Sequence, residues 1–268
     1  MLDRVGRVVA RQLRRVNPSG RLDVERLIDA GLRCRSHLDK VKAGIPIEGG
    51  WYPYDSFMNL YPLRQLLAGE HRYLLDLAGD EPVLDIGCGD GMLAFFLESL
   101  GLQVHAVDHP STNYNAMRGV RALKAALESA VELHELDLDR RFTLPPGTYG
   151  LALFLGTLYH LKNPFYALES VARQARFCLL STRVARVTPG KEVNYHELPM
   201  AYLLGEREAN ADPTNYWIFS QAGLRRILDR CGWDVLALTT TGETSASDPA
   251  SQSGDERAFC LLRSRVIT

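Results

Sequence analysis

The segment VLDIGCGDG, residues 83–91, constrains the fold more than any other in this chain. The short apolar run Val83–Ile86 reads as a buried strand. It ends in glycines at 87, 89 and 91, and GMLAFFLESLG follows as a helix closed by Gly101. Glycines at that point let the backbone turn sharply and approach a ligand closely. The helix start offers unpaired N–H groups at the same place. A strand, a glycine turn and a helix in that order open an α/β sheet, and ligands of such sheets sit at the carboxyl ends of the strands.

The chain from residue 82 onward keeps that alternation. QVHAVD is a second strand and NYNAMRGVRALKAALES a helix. VELHEL and YGLALFLG are the third and fourth strands, and NPFYALESVARQA is a helix with Asn163 as cap and Pro164 in its first turn. RFCLLSTRV is a fifth strand, and residues 186–216 read as a polar, irregular insertion. SQAGLRRILDRCG is a helix capped by Ser220. WDVLALTTT and RAFCLLRSR are two last strands, joined by the Ser/Gly/Asp-rich linker 242–255. Two consecutive strands at the end imply an antiparallel edge on a mostly parallel, seven-stranded, Rossmann-like sheet.

Upstream, the pattern is helical. Leu2, Val5, Val8, Val9, Leu13 and Val16 recur at three- and four-residue steps, with arginines filling much of the rest, until NPSG stops the run. A second helix spans about Leu22 to Val41. Residues 44–57, GIPIEGGWYPYDSF, form an aromatic loop. A further helix uses Leu60, Leu63, Leu66, Leu67, Leu74 and Leu75 as its apolar set. The organisation is thus a helical extension over residues 1–80 and a ligand-binding domain over 81–268 that carries the 186–216 insertion.

Composition places this in a reducing, aqueous setting. No apolar run approaches the roughly 20 residues that span a bilayer, and the N-terminus lacks the uninterrupted apolar core of a secretory signal. Five cysteines are scattered, with no CxxC, which implies neither a disulfide frame nor a zinc site; no metal is expected, and the expected location is the cytoplasm. Residues 1–42 hold 11 Lys/Arg against 5 Asp/Glu, on a chain of net charge −1. That arm is either a solvated arginine face or a nucleic-acid contact.

Asp108 ends the second strand 19 residues after Gly89, where an acidic residue accepts ribose hydroxyls. The glycines form GxGxG, so the third comes one residue earlier than in the GxGxxG of dinucleotide sites. Carboxylates at Asp85 and Asp90 repel a pyrophosphate, whereas an ammonium or sulfonium tolerates them. This D-x-G-x-G-x-G arrangement, with Asp108 and the strand order, resembles motif I of class I S-adenosylmethionine-dependent methyltransferases, over residues 82–265.

The resemblance implies roles. Asp85, Gly87 and Gly89, with Cys88 between them, would line the methionine part of the cofactor. Asp108 would hold the ribose, His109 would lie beside the adenine, and Asp137 with the backbone of Leu138 would meet the adenine edge. Gly156 would border the cofactor where the fourth strand ends. LALFLGTLYHLKNPFYAL is similar to a signature that follows the fourth strand in the neighbourhood of the tRNA wobble-uridine carboxymethylating enzymes. DPTNYWIFSQAGLRRILDRCGW resembles a PTNxW segment of their relatives. Those tRNA enzymes use a carboxylated cofactor, a lysine-bearing tryptophan loop and an arginine after LYH. Here Leu161 follows His160, and residues 45–59 hold no Lys or Arg. The departure favours ordinary S-adenosylmethionine and a small-molecule acceptor, with tRNA second.

Tyr159 is then expected to line the transfer site. His160 is expected to bond backbone near the Asn163–Pro164 helix start, with a general-base role as the other reading. His105 and Asp108 fall on opposite strand faces, which argues against shared metal ligation. His196 and Glu197 in the insertion are either substrate-facing or solvated. Trp51 and Tyr54, with Tyr52, either wall the acceptor or pin the N-terminal helices. The expected activity is methyl transfer to an O, N or C nucleophile. The rivals are a nicotinamide-dependent oxidoreductase and a non-catalytic cofactor-binding module. The sequence does not indicate an oligomeric state.

Overall fold

The computed structural model describes residues 21–267, so the amphipathic segment expected over residues 2–16 lies outside the described residues. Two compact units emerge. The first comprises residues 21–137 with Pro145–Ala152, and the second comprises Leu138–Leu144 with residues 153–267.

In the first unit, α1 (Val24–Ala43) starts at Asp23, whose carboxylate accepts the Arg26 N–H. It buries Leu27, Ile28 and Leu38 and ends with Lys40 and Lys42 near its negative pole. The leucines expected to form one further helix instead form four short turns: a 3-10 turn at Ser56–Leu60, α2 (Leu63–Leu66), a 3-10 turn at Gly69–His71, and α3 (Leu74–Ala78). Pro62 cannot continue a helix that precedes it, and Gly69 interrupts again. The apolar set is still buried at Leu60, Leu63, Leu66, Leu67 and Leu74.

Three parallel strands form the rest of this unit, with β2 (Val104–Asp108) between β1 (Val83–Ile86) and β3 (Glu132–Glu135). Every residue of β1 is buried. α4 (Met92–Ser99) buries all of Met92–Leu97, so it is an internal helix rather than an amphipathic one. α5 (Arg118–Leu127) starts five residues later than its sequence pattern suggests. The Asn113 side-chain oxygen accepts the N–H groups of Asn115 and Met117, and Ala116 and Met117 turn left-handed. Asparagine side chains compete with the helix for backbone donors, and here they win.

β4 (Tyr149–Leu155) begins in the first unit and ends in the second. The second unit continues with α6 (Pro164–Ala172), β5 (Ala175–Val184), β6 (Ala201–Leu203), β7 (Trp217–Phe219), α7 (Gln221–Arg230), β8 (Trp233–Gly242) and β9 (Glu256–Ser264). Asn163 caps α6 as its sequence implies. β9 runs antiparallel between β5 and β8, which is the antiparallel edge anticipated from two successive strands.

The described residues hold nine strands rather than seven. The additional pair, β6 and β7, comes from the 186–216 stretch and its end, which is not simply irregular. Tyr195, Leu204, Ala209 and Ile218 pack with Ala185 into a small core of their own. Their spacing follows no regular period, so no pattern in the sequence announces them.

Ser220 ties these parts together. Its hydroxyl accepts the Gly223 N–H at the start of α7 and the Met200 N–H beside β6, and it is fully buried. Ser220→Ala removes the cap and leaves the buried Gly223 N–H unmatched, while the Met200 N–H keeps the Leu198 carbonyl. It should cost about 1–3 kcal/mol in urea unfolding.

Candidate functional site

The glycine loop is built as its sequence demands. Gly87, Gly89 and Gly91 all have positive φ, at 72°, 58° and 77°. At Gly91 a Cβ would also lie 2.6 Å from Val120. The loop is held from below by Asp108. One oxygen of that carboxylate accepts the Gly89 N–H at 2.8 Å and the Asn113 amide at 2.9 Å, and the other accepts the His109 N–H at 2.8 Å. Burial pushes the Asp108 carboxyl up, against the pull of these donors.

Asp85 is different. In the β1–β2 register it sits opposite Ala106, two residues before Asp108, so both carboxylates share a face and His105 lies on the other. Asp85 is 4% exposed, and its Oδ2 is buried without a hydrogen-bond partner. Burial, then the charge of Asp108, push its carboxyl up to about 7. A buried acceptor at a ligand-facing strand end lacks only a donor, and an ammonium group suits it. Cys88 is a packing residue, its thiol pushed well up by burial and by Asp108, which keeps it un-ionised and inert.

A second carboxylate network lies behind the loop. Asp90, 2% exposed, accepts the Asn115 amide at 2.8 Å and the Tyr52 N–H at 2.8 Å, with the Lys42 ammonium at 3.5 Å. The Asn115 amide also reaches the Gly50 carbonyl, and its oxygen accepts the Gly119 N–H. A Cβ on Gly119 would fall 2.1 Å from Asp90 Oδ1, so this crossing admits only glycine. Asp90 therefore binds the aromatic loop to the glycine loop. Asn113 and Asn115 are the residues that sequence reasoning missed. Their only signal was an asparagine pair in an aperiodic stretch, a turn signature rather than a helical one.

The aromatic residues divide. Trp51 is an anchor, donating to the Ile45 carbonyl at 3.2 Å with Lys42 over its ring. Tyr54 is 66% exposed and meets Tyr52 edge-on. Tyr52 is the one that reaches the site, its ring lying 3.7 Å from where a Gly89 Cβ would stand. His109 and Asp137 are half-buried beyond the ends of β2 and β3, the latter as the last residue of its unit; Leu138, the next residue, is buried.

On the far face of β2, His105 Nδ1 and His134 Nε2 lie 3.1 Å apart, with Glu132 3.8 Å from the first and 3.9 Å from the second. The ring planes are within 3° at a centroid distance of 5.2 Å, a stacked pair joined by that nitrogen–nitrogen contact. Among the described residues this is the cluster whose atoms lie close enough to hold an ion.

The second unit holds the other candidates. Gly156 follows β4, and the 3-10 turn Leu158–His160 comes next. Thr214 donates its hydroxyl to Asp212 at 2.6 Å, so His160 Nδ1–H donates to Thr214 Oγ1 at 2.9 Å and leaves Nε2 without a proton. Burial holds this imidazole below the usual histidine range. The partner of His160 is thus Thr214, not the backbone at the α6 start, a correction to the sequence expectation. The Tyr159 carbonyl accepts the Tyr216 N–H at 2.8 Å. The LYH and PTNYW segments, far apart in sequence, are one hydrogen-bonded structure. His196 and Glu197 pair with each other at 3.3 Å, and the His196 carbonyl accepts the Ala222 N–H at the start of α7, with Glu197 exposed.

Residues 54–238, more than half of the chain, match the family described as a methyltransferase domain. The chain belongs to that methyltransferase family. Curated relatives include the ubiquinone biosynthesis O-methyltransferases of Paraburkholderia xenovorans (strain LB400), 28% identical over 45% of this chain and 50% of the relative, and of Burkholderia orbicola (strain MC0-3), 30% identical over 42% and 47%. The chain spans about half the length of the curated relatives it matches. Among solved structures it resembles the N-terminal domain of EvdMO1 with SAH bound, at TM-score 0.52 and 18% identity over 86% of this chain and 97% of that one. It also resembles the [4+2]-cyclase SpnF, at 0.53 and 16% over 87% and 93%. The fold of this methyltransferase-family chain is accordingly Rossmann-like, a mostly parallel sheet with an antiparallel edge and helices at its N-terminal side.

The raised Asp85 carboxyl makes a pH prediction. Below about pH 4 it is protonated in both folded and unfolded chains and costs nothing. Between its ordinary 3.8 and about 7 the unfolded chain ionises and the folded one does not, so stability falls as pH rises through that window and then levels off. Asp85→Asn removes this loss. In the absence of ligand the variant should melt higher than the wild type at pH 8, with the advantage gone at pH 4, measured by thermal midpoint at both pH values.

Proposed function

We propose that this chain is an S-adenosylmethionine-dependent methyltransferase acting on an O, N or C nucleophile of a small molecule. The observation that carries the reading is the unpaired Oδ2 of Asp85 beside the glycine loop and Asp108, a donor-seeking atom where the cofactor's ammonium would lie. Bound there, the sulfonium would supply an already activated methyl group. The chain's own part is positional. Asp85 would hold the ammonium, Asp108 the ribose hydroxyls through lone pairs left by its three N–H donors, and Tyr52 would cover the loop. His109, Asp137 and Leu138 would frame the adenine. Tyr159 would line the transfer site, and His160, tied to Thr214, would position it. Family membership and the ubiquinone-type relatives support this reading. The likeness to a cyclase shows why fold alone does not decide it.

Two finer assignments belong to the same reading. Five buried cysteines, none in a disulfide, support a reducing cytoplasm, and no described helix is long and apolar enough to cross a membrane. The joining of LYH to PTNYW supports kinship with the neighbourhood of the tRNA wobble-uridine enzymes. That makes tRNA the second acceptor, testable by salt-dependent binding.

Calorimetry should show S-adenosylhomocysteine binding in the micromolar range, about −8 kcal/mol, strengthening from pH 6 to pH 8 as Asp85 ionises. Gly89→Val, placed at φ 58° under the Tyr52 ring, should abolish it. Unchanged binding in that variant refutes the cofactor assignment. Once an acceptor is known, Tyr159→Phe should lower single-turnover rate tenfold or more with cofactor affinity little changed. His160→Ala should chiefly lower stability, by about 1–3 kcal/mol for the Thr214 pairing. A stable His160→Ala protein with a collapsed rate would make the histidine the base instead.

A further inference from the structure

Two arginines stand beside Tyr159, and among the described residues neither makes an ion pair with a carboxylate, the charge of Asp255 reaching Arg183 only from beyond contact. Arg183 on β5 and Arg257 on β9 are direct partners in the antiparallel register, so their side chains share a face of the second unit. The Arg257 guanidinium lies 5.6 Å from the centre of the Tyr159 ring and 3.3 Å from where a Gly156 Cβ would stand. Arg183 is 7% exposed. Among the described residues its side chain makes one hydrogen bond, a long one of 3.3 Å from a terminal nitrogen to the Ser251 carbonyl, and its Nε is buried without an acceptor. Burial lowers its hold on the proton and Arg257 adds to that, while the charges of Asp255 and Tyr159 work the other way.

The nearest carboxylate along β9 is already committed. Glu256, fully buried, takes both forks of Arg186 at 2.7 and 2.8 Å and the Ser247 hydroxyl at 2.7 Å. Arg186 shows how this fold neutralises a structural arginine, and Arg183 and Arg257 lack that treatment. Like charges placed side by side in a low-dielectric setting destabilise a fold. An arginine fork matches a carboxylate or phosphate in two bonds at once.

We propose that Arg183 and Arg257 form an anion-binding subsite at the transfer site, and that the acceptor carries a carboxylate or phosphate group. The inference rests on the methyl-transfer reading for the word acceptor, and on the two guanidinium groups for the anion. Neither arginine touches the glycine loop's carboxylates in this assignment. They select the acceptor and orient it against Tyr159, and the methyl moves to a nucleophile elsewhere on the same molecule, which gives up its proton to solvent.

The test uses the full chain saturated with S-adenosylhomocysteine and three probes: benzoate, inorganic phosphate and the neutral isostere benzamide. Benzoate or phosphate should bind at least tenfold more tightly than benzamide. Arg183→Met and Arg257→Met should each weaken that binding tenfold or more, with S-adenosylhomocysteine affinity unchanged within twofold. Arg183→Met should also raise the ligand-free thermal midpoint by about 2 °C or more, because it removes a buried charge that has no ion-pair partner. Anions that bind no better than benzamide, or equally well to both variants, overturn the proposal. So does a lowered midpoint in Arg183→Met together with unaltered anion binding in Arg257→Met, which makes the pair structural. Carboxylated S-adenosylmethionine binding more tightly than the ordinary cofactor, and losing that advantage in Arg257→Met, places the anion on the cofactor and overturns the acceptor assignment. If S-adenosylhomocysteine itself fails to bind the wild type, the methyltransferase reading falls, while the benzoate and benzamide comparison without it still decides the anion subsite.

Discussion

Asp108 is the interaction on which the candidate cofactor site depends. A single carboxylate at the end of β2 collects the Gly89 N–H, the His109 N–H and the Asn113 amide. Backbone bonds fix Gly87 and Gly91, but without Asp108 the Gly89 N–H would have no partner and the middle of the loop would be free to move. Asn113 then passes the constraint on, its oxygen holding the next turn of chain and delaying α5. Asp90 repeats the device one layer back and draws in Asn115, Tyr52 and Lys42. The loop is preorganised by acids that are themselves satisfied.

Against that background, the groups left unsatisfied gain meaning. Asp85 is buried without a donor on Oδ2, and Arg183 is buried without an acceptor on Nε. A folded chain ordinarily pairs buried polar groups, because each orphan costs the full price of desolvation. The same fold pairs Arg186 with Glu256 without difficulty. These two orphans, one in each unit, are the groups on which the proposed cofactor and acceptor assignments rest.

The strand assignments from β1 to β5, the caps at Asn163 and Ser220 and the antiparallel end were legible because each rests on local chemistry. Apolar runs, a side chain reaching three residues ahead, and glycines at alternate positions are all written within ten residues of one another. The failures are of another kind. The leucines of residues 60–75 repeat as a helix does, yet Pro62 and Gly69 break the run into turns. β6 and β7 are too short to carry a period, and they exist because Tyr195, Leu204, Ala209 and Ile218 find each other across a long stretch.

The sequence by itself determined the glycine loop, the acidic residue that ends β2 and hence the candidate ligand-binding edge, since those depend on spacing along one strand and one turn. Only the tertiary structure decided who partners whom. It joined His160 to Thr214 across 54 residues rather than to the helix beside it, and chose Tyr52 over Trp51 to cover the loop. It set Arg183 opposite Arg257 in the strand register, with no ion pair for either among the described residues. Hydrogen-bond partners and unpaired charges are properties of distance in space, and a chain's order constrains that distance only between near neighbours.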